Sequence, residues 1–310
     1  MTKNVVITGA KGFIATNLKT HLSEGGMTCI GISRNPTGPN EIGWNDLDLG
    51  KSYGSYWIHT AGKAHDRSTK VGESEYAKAN LHLTQTVFEL FLSDPNSEKL
   101  IFLSSVKAVA SSVEGILRED HYYEVGNPYG KTKKEAEDFL LAQKLPPNKK
   151  IIILRLCMTH GPGNKGNLNL LFNFVKRGIP YPFGSISNQR SLLCVDNLSF
   201  VINSILNSES FNSGIYNVAD DGFLSTTEII ATMAEVLEKG RKIWYIPKTI
   251  VNLGFGLCKV MRLNTLNSSL KKLTENYRVS NEKIKNELGL TEMPISSISG
   301  LKTTFNSFIN

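Results

Sequence analysis

The stretch Asn4–Leu22, NVVITGAKGFIATNLKTHL, reads as strand, tight turn and helix. Val5, Val6 and Ile7 form a short β-branched run, and Ile14, Leu18 and Leu22 recur at helical spacing. Between them lies a turn of small residues. Gly9 permits the bend, and Gly12 lets backbone N–H groups approach a pyrophosphate at the positive end of the helix. Ala15 allows close packing of helix on strand. With Phe13 and Ile14 at the helix start, this is a candidate dinucleotide cradle. A lone glycine turn is weak evidence, because many strand–helix junctions need glycine.

Working outward, apolar runs recur at Thr28–Ser33, Tyr56–Gly62, Lys99–Ser105 and Lys149–Leu156, with a helical pattern over Tyr76–Leu92. Near-continuously apolar strands alternating with helices predict an α/β fold, a Rossmann-type doubly wound parallel sheet covered on both faces. Ligands bind at the carboxyl ends of such strands. Beyond about residue 165 the loops lengthen, and a helix is expected over Thr226–Lys239. The expected division is a dinucleotide-binding domain of residues 1–165 and 190–219, and a smaller C-terminal α/β substrate region of residues 166–189 and 220–310.

The 310 residues are 40% hydrophobic and 20% charged, ordinary for a soluble globular chain. The start lacks a signal-peptide pattern, and no apolar run is long enough to cross a bilayer. The richest run, from Thr249 to Leu263, is broken by Asn252, two glycines and Lys259. Cys29, Cys157, Cys194 and Cys258 show neither CxxC pairing nor metal spacing with histidine; they read as buried thiols in a reducing compartment, and a cytoplasmic location is expected. The net charge of +7 admits nucleic acid, an anionic membrane or small polyanions as partners. The lysines are scattered, with no aromatic-interleaved stripe, so no nucleic-acid partner is expected.

Two constellations carry chemistry. The second strand ends in Ser33 and Arg34, with no acid until Glu41. A carboxylate there would repel a ribose 2′-phosphate, whereas a hydroxyl and a guanidinium would bind it, so NADP(H) is expected over NAD(H). In NPYGKTKKEAED, Asn127–Asp138, Tyr129 precedes Lys133 by one helical turn, with Pro128 as a helix-start residue. A nearby ammonium is expected to lower the phenol pKa and to donate to the nicotinamide ribose. Ser105, at the end of the strand KLIFLSS, can hydrogen-bond the same substrate oxygen.

The ordered landmarks TGAKGFIA, HTAGKAH, FLSSVKAV, NPYGKTKKEAE, LRLCMTHGPGNKGN, RSLLCVDNL and GIYNVAD resemble the extended short-chain dehydrogenases/reductases, the NAD-dependent epimerase/dehydratase group acting on nucleotide sugars. Within that group, SSVKAV, GPGNKGN and PFGSISNQRSLLCVDNL are most similar to bacterial reductases of UDP-linked 4-keto-6-deoxy-N-acetylhexosamines. The resemblance implies a triad of Ser105, Tyr129 and Lys133, with Ala61 and Gly62 lining the cofactor and Asn80 bracing the third strand's end. It also implies Asn167 on the nucleotide sugar, Arg190 on the diphosphate and Arg278 as a second phosphate ligand; Arg190 further suits bidentate phosphate binding on its own chemistry. Departures fall at Val109 and Ala110, Leu156 and His160. His59 and His160 read as packed or hydrogen-bonded residues, and no metal site is expected.

These readings lead to an NADP(H)-dependent 4-ketoreductase of a UDP-linked (N-acetyl) deoxyhexose in surface-polysaccharide biosynthesis, with a homodimer possible within the group. A UDP-sugar 4-epimerase holding NAD tightly would use the same residues. A non-catalytic nucleotide- or RNA-binding protein on the same scaffold is the reading from another class. A dehydratase fits less well, because Ser105 is followed by Val106 and Lys107 and not by carboxyl residues.

Overall fold

The computed structural model describes residues 4–63, 73–121, 123, 125–251, 253 and 274–309. Cys258, Lys271, Lys272 and the apolar run beyond Leu253 lie outside them. The centre is a seven-stranded parallel sheet built from β1 (Asn4–Thr8), β2 (Thr28–Ser33), β3 (Glu41–Gly43), β4 (Tyr56–His59), β5 (Lys99–Ser105), β7 (Lys150–Leu156) and β10 (Gly214–Val218). Its order is β10-β7-β5-β4-β1-β2-β3. The chain reverses direction across the sheet between β1 and β4, the switch point at which such folds bind dinucleotides.

Side-chain alternation along the strands divides the core. Val5, Ile7, Ile58, Ile101, Leu103, Ile152 and Leu154 face one side, packed with Leu18 and Leu22 of α1 (Phe13–Glu24) and Leu198 and Ile202 of α6 (Val195–Asn207). Val6, Trp57, Leu100, Phe102, Ile151 and Ile153 face the other. There they meet Val87 and Phe91 of α3 (Leu83–Ser93) and Ala136 and Leu140 of α4 (Pro128–Leu141). Both faces are dry, which is why the strands read as unbroken apolar runs.

A smaller core joins Phe172 of α5 (Asn167–Lys176), Met233 of α7 (Thr226–Val236) and Phe305 of α9 (Ser297–Asn306). The Phe172 and Phe305 rings stack at 5.7 Å. The short pair β8 (Met158–His160) and β9 (Leu192–Cys194) links it to the main sheet. His160 joins Thr304 at 2.8 Å, and Asp220 accepts from Asn197 Nδ2 at 2.7 Å.

Three elements differ from their sequence reading. The run expected to reach Gly62 stops as a strand at His59, because Thr60 turns to donate its hydroxyl to the Thr8 carbonyl at 2.6 Å. The helix expected over Tyr76–Leu92 begins at Glu73 as α2 (Glu73–Tyr76) and passes through a π-helical turn, Ala77–His82, before α3. The helix expected to reach Lys239 ends at Val236, and Glu238 follows with a left-handed φ of 53°.

Candidate active site

The glycine turn is built for close approach. Gly9 has φ 68°, and a Cβ there would lie 2.8 Å from Ala61 Cα. The β1 turn therefore rests directly on the end of β4. Gly12 precedes the first residue of α1, with Phe13 and Ile14 half-buried behind it and Ala15 fully buried. The exposed N-terminal N–H groups of α1 thus open onto the sheet's carboxyl edge, suited to a phosphate.

At the end of β2, Ser33 is buried and its Oγ has no hydrogen-bond partner among the described residues. Arg34 beside it is exposed. Lys11, from the glycine turn, donates to the Asn35 carbonyl and to Thr37 Oγ1 at 3.1 Å. The first acid after Ser33 in the chain, Glu41, is already engaged: it accepts from the Thr37 N–H at 2.9 Å and faces Lys11 at 3.7 Å and Lys19 at 3.8 Å. The Thr37 N–H, followed by those lysines, holds its carboxyl below the usual range. Ser33, Arg34 and Lys11 are thus the groups after β2 that could meet a dinucleotide ribose. Nothing in the local pattern around Lys11 marks this contact, which the turn brings across from β1.

Helix α4 starts where it does because Asn127 Oδ1 accepts the Gly130 N–H at 2.8 Å and Pro128 fills the first turn. Gly130 is required, since a side chain there would run into the Lys107 carbonyl. This seats Tyr129 beside Ser105, and the two side chains are hydrogen-bonded. Burial pushes the Tyr129 phenol above its ordinary value; the Ser105 bond opposes this and the neighbouring Tyr76 adds to it. The expectation that Lys133 lowers the phenol is corrected. The Lys133 ammonium instead donates to the Leu103 carbonyl at 2.9 Å and lies 4.5 Å from the centre of the Phe102 ring. Burial brings the Lys133 ammonium itself down to about 8, partly offset by Glu137.

The ground beneath this trio is polar and buried. Asn80, in the π-helical turn, accepts the Lys63 N–H at 2.8 Å and donates to Thr132 Oγ1 at 3.0 Å, bracing the chain after β4 against α4. Such a widened turn often marks a functional position. Gly62 lies so close that a Cβ would be 2.9 Å from Asn80 Oδ1 and 3.3 Å from Lys133 Nζ. His59 bridges Thr8 Oγ1 at 2.7 Å and Thr84 Oγ1 at 3.0 Å; burial, then Lys133, brings its imidazole down to about 3, so it is neutral. Glu137 accepts from Ser104 and pairs with Arg155 Nη2 at 2.7 Å, both charges fully buried. Asn80 was implicated by resemblance, but the Glu137–Arg155 pair joins residues from separate elements and carries no local signal.

The residues expected on the nucleotide sugar and its diphosphate come from other elements. Asn167 is exposed at the first residue of α5. Arg190 pairs its backbone with Leu224 at 2.9 Å in both directions, and its half-buried guanidinium faces Glu275, Tyr181 and Tyr277. Burial lowers its pKa, and those three groups oppose the change. Arg278, in β11 (Arg278–Val279), donates to the Gly115 carbonyl at 3.0 Å and to Gln189 Oε1 at 3.4 Å. The two arginines lie on adjoining backbone segments, because Ser191 N donates to the Tyr277 carbonyl at 2.9 Å. Tyr277 then connects this cluster to the segment that follows Ser105: its hydroxyl is shared between the carbonyls of Val106 at 3.1 Å and Ala110 at 2.8 Å. Cys29, Cys157 and Cys194 are buried free thiols, each raised by burial. Among the described residues no cluster of histidine, cysteine and carboxylate can hold a metal.

The family described as NAD dependent epimerase/dehydratase matches residues 5–219, the sheet and the whole trio included. The chain belongs to this family. As a member of the epimerase/dehydratase family it is an NAD(P)-dependent enzyme of the extended short-chain dehydrogenase type. It is 28% identical over 268 residues to a UDP-glucose 4-epimerase of Vibrio cholerae, covering 81% of this chain and 80% of that one. It is 24% identical over 306 residues to an N-acetyl-α-D-glucosaminyl-diphospho-ditrans,octacis-undecaprenol 4-epimerase of Escherichia coli O157:H7, covering 96% and 89%. A UDP-2-acetamido-2,6-β-L-arabino-hexul-4-ose reductase of Pseudomonas aeruginosa is 24% identical over 262 residues, covering 83% of this chain and 62% of that one. The fold of MoeE5, solved with UDP-glucose and NAD, superposes with a TM-score of 0.76 at 21% identity, covering 98% of each chain. Among the described residues no helix is long and apolar enough to cross a membrane.

Proposed function

We propose that the chain is an NADP(H)-dependent 4-ketoreductase of a UDP-linked (N-acetyl) deoxyhexose, serving surface-polysaccharide biosynthesis. The observation that carries the cofactor choice is the end of β2, where the buried Ser33 hydroxyl has no partner among the described residues, Arg34 beside it is exposed, and Lys11 reaches Asn35 and Thr37 just beyond. Glu41, the first acid after Ser33 in the chain, is engaged by Lys11 at 3.7 Å and Lys19 at 3.8 Å. When bound, the reduced nicotinamide supplies the hydride. Ser105 and Tyr129 hold the sugar carbonyl oxygen between them. Tyr129 meets that oxygen protonated, because burial raises its phenol. It therefore delivers the proton that completes an alcohol. Lys133, charged below about pH 8, offers its ammonium to the cofactor ribose. Arg190 and Arg278 hold the diphosphate, and Asn167 contacts the sugar nucleotide at the start of α5. Cofactor oxidation with a panel of UDP-4-keto-6-deoxy sugars tests this, with NADPH at least tenfold better than NADH. Arg34→Ala should erase most of that preference. A strong preference for NADH would remove the argument for net reduction.

A second reading, a 4-epimerase with tightly held NAD, is favoured by the likeness to the Vibrio cholerae and Escherichia coli enzymes. A diphosphate is common to UDP and to a polyprenyl carrier, so Arg190 and Arg278 would serve either. Denaturing the purified protein and assaying released dinucleotide separates the two: stoichiometric NAD supports the epimerase.

A further inference from the structure

The expectation of scattered lysines with no aromatic-interleaved stripe fails over one span of the chain. From Lys239 to Thr274 the sequence holds eight lysines and arginines and no acid; outside that span 27 cations face 28 acids. The described part of this span is also where the apolar surface gathers. Trp244, Tyr245, Ile250 and Leu253 are 58%, 69%, 57% and 67% exposed, four of the eleven exposed large apolar side chains among the described residues, within ten positions. Arg241, Lys242 and Lys248 are exposed among them.

This strip is firmly mounted. Tyr181 N donates to the Lys242 carbonyl at 2.8 Å, Trp244 N to the Tyr181 carbonyl at 2.8 Å, and Gly184 N to the Trp244 carbonyl at 2.9 Å. Beside it opens a cleft of about 330 Å³ whose lining includes Val175 and Ile179 together with Arg177, Lys239 and Lys242. Lys239 is fixed there by donating to the Lys176 carbonyl at 2.6 Å. The nearest acids are Glu238, just before the strip, and Glu235, which is paired with Lys302 at 2.6 Å. The cleft lies at the far end of α5 from Asn167.

We infer that this strip docks on an anionic lipid bilayer surface, with Trp244, Tyr245, Ile250 and Leu253 entering the headgroup boundary and Lys239, Arg241, Lys242 and Lys248 meeting lipid phosphates. Charge complementarity selects the occupant. Interfacial aromatics and aliphatics interleaved with lysine and arginine match the layered chemistry of a membrane surface, apolar below and anionic above. A nucleic acid would use the cations but leave Ile250 and Leu253 in water. The attachment is peripheral and independent of which sugar the active site takes.

The test uses the full chain with extruded phosphatidylcholine vesicles, alone or with 30% phosphatidylserine, at 0.1 M salt. The protein has three tryptophans; Trp57 is fully buried and Trp44 half-buried, so Trp244 is the natural reporter. Expected are sedimentation with the anionic vesicles at least tenfold above the neutral ones, its loss at 1 M salt, and a blue shift of emission that Trp244→Phe abolishes. Replacing Lys239, Arg241, Lys242 and Lys248 by glutamine should lower partitioning at least tenfold, with thermal unfolding and soluble-substrate turnover unchanged. Equal binding to both vesicle types, a blue shift that survives Trp244→Phe, or partitioning untouched by the charge variant would overturn the proposal. So would binding to single-stranded RNA at the same salt as tight as to anionic vesicles, with no change in Trp244 emission.

Discussion

Lys133 and Glu137 sit one turn apart on α4, yet each is bound to a different strand: the Lys133 ammonium donates to Leu103 of β5 at 2.9 Å, and the Glu137 carboxylate is held by Arg155 of β7 at 2.7 Å. The helix that carries the tyrosine is thereby fastened to two neighbouring strands by opposite charges. The buried ammonium is left easier to discharge than a free lysine, since burial outweighs the Glu137 charge.

Cofactor affinity should follow that titration. With the folded value near 8, Lys133 is charged below it and neutral above it. Binding of NADPH, followed by fluorescence or calorimetry from pH 7 to 9.5, should weaken as pH rises through about 8. Lys133→Met should bind weakly and show a flat profile over that range. A flat wild-type profile would contradict the assignment of this ammonium to the cofactor.

Removing the phenol should stop turnover and spare binding. Tyr129→Phe is expected to lower kcat on the order of 10²–10⁴-fold, the usual worth of a positioned proton donor, with little change in cofactor affinity. Ser105→Ala should cost less, because Tyr129 still reaches the oxygen. Single-turnover kinetics with each variant decides; a Tyr129→Phe enzyme at wild-type rate excludes the proposed role.

Acid should destabilise the fold through His59. Its folded value, about 3, lies below the ordinary value of 6.5. As pH falls from 6.5 toward 3, the unfolded chain gains a proton that the folded chain does not. Stability is therefore intact above 6.5 and declines below it, by at most about 1.4 kcal/mol per pH unit for this one group. Urea unfolding of wild type and His59→Gln between pH 4 and 7.5 should show a shallower slope for the variant, whatever its absolute stability.

Breaking the Glu137–Arg155 pair should be costly. Both groups are fully buried. Arg155→Met alone leaves a buried carboxylate without its partner and is expected to lose ~3–5 kcal/mol. The double change Arg155→Met with Glu137→Leu should recover much of that loss, because no unpaired charge remains. Equilibrium denaturation of the three proteins reads the coupling, and simple additivity would show that the pair does not interact as described.

The main sheet was readable from the chain for a physical reason. Strands covered on both faces are apolar at every position, so Thr28–Ser33 and Lys99–Ser105 carry their own boundaries. Tyr129 and Lys133 were readable as neighbours because helical spacing is periodic. The direction of the phenol shift was not, since burial decides it and burial is not local. The same holds for Lys11 on Asn35 and Thr37 and for Tyr277, whose bond to Ala110 spans 167 residues of chain. The π-helical turn that presents Asn80 was hidden too, because one extra residue in a helix leaves its apolar stripe nearly unchanged.

The hydroxyl of Tyr277, shared between Val106 and Ala110, is a mechanical strut between the segment after Ser105 and the backbone beside Arg190 and Arg278. On the proposed assignment, a pull on those arginines by the carrier's charged linkage reaches the segment beside the reacting carbon. Sugars shorn of their carrier should consequently suffer in rate constant and not merely in occupancy, since the grip at one end helps to set the aim at the other.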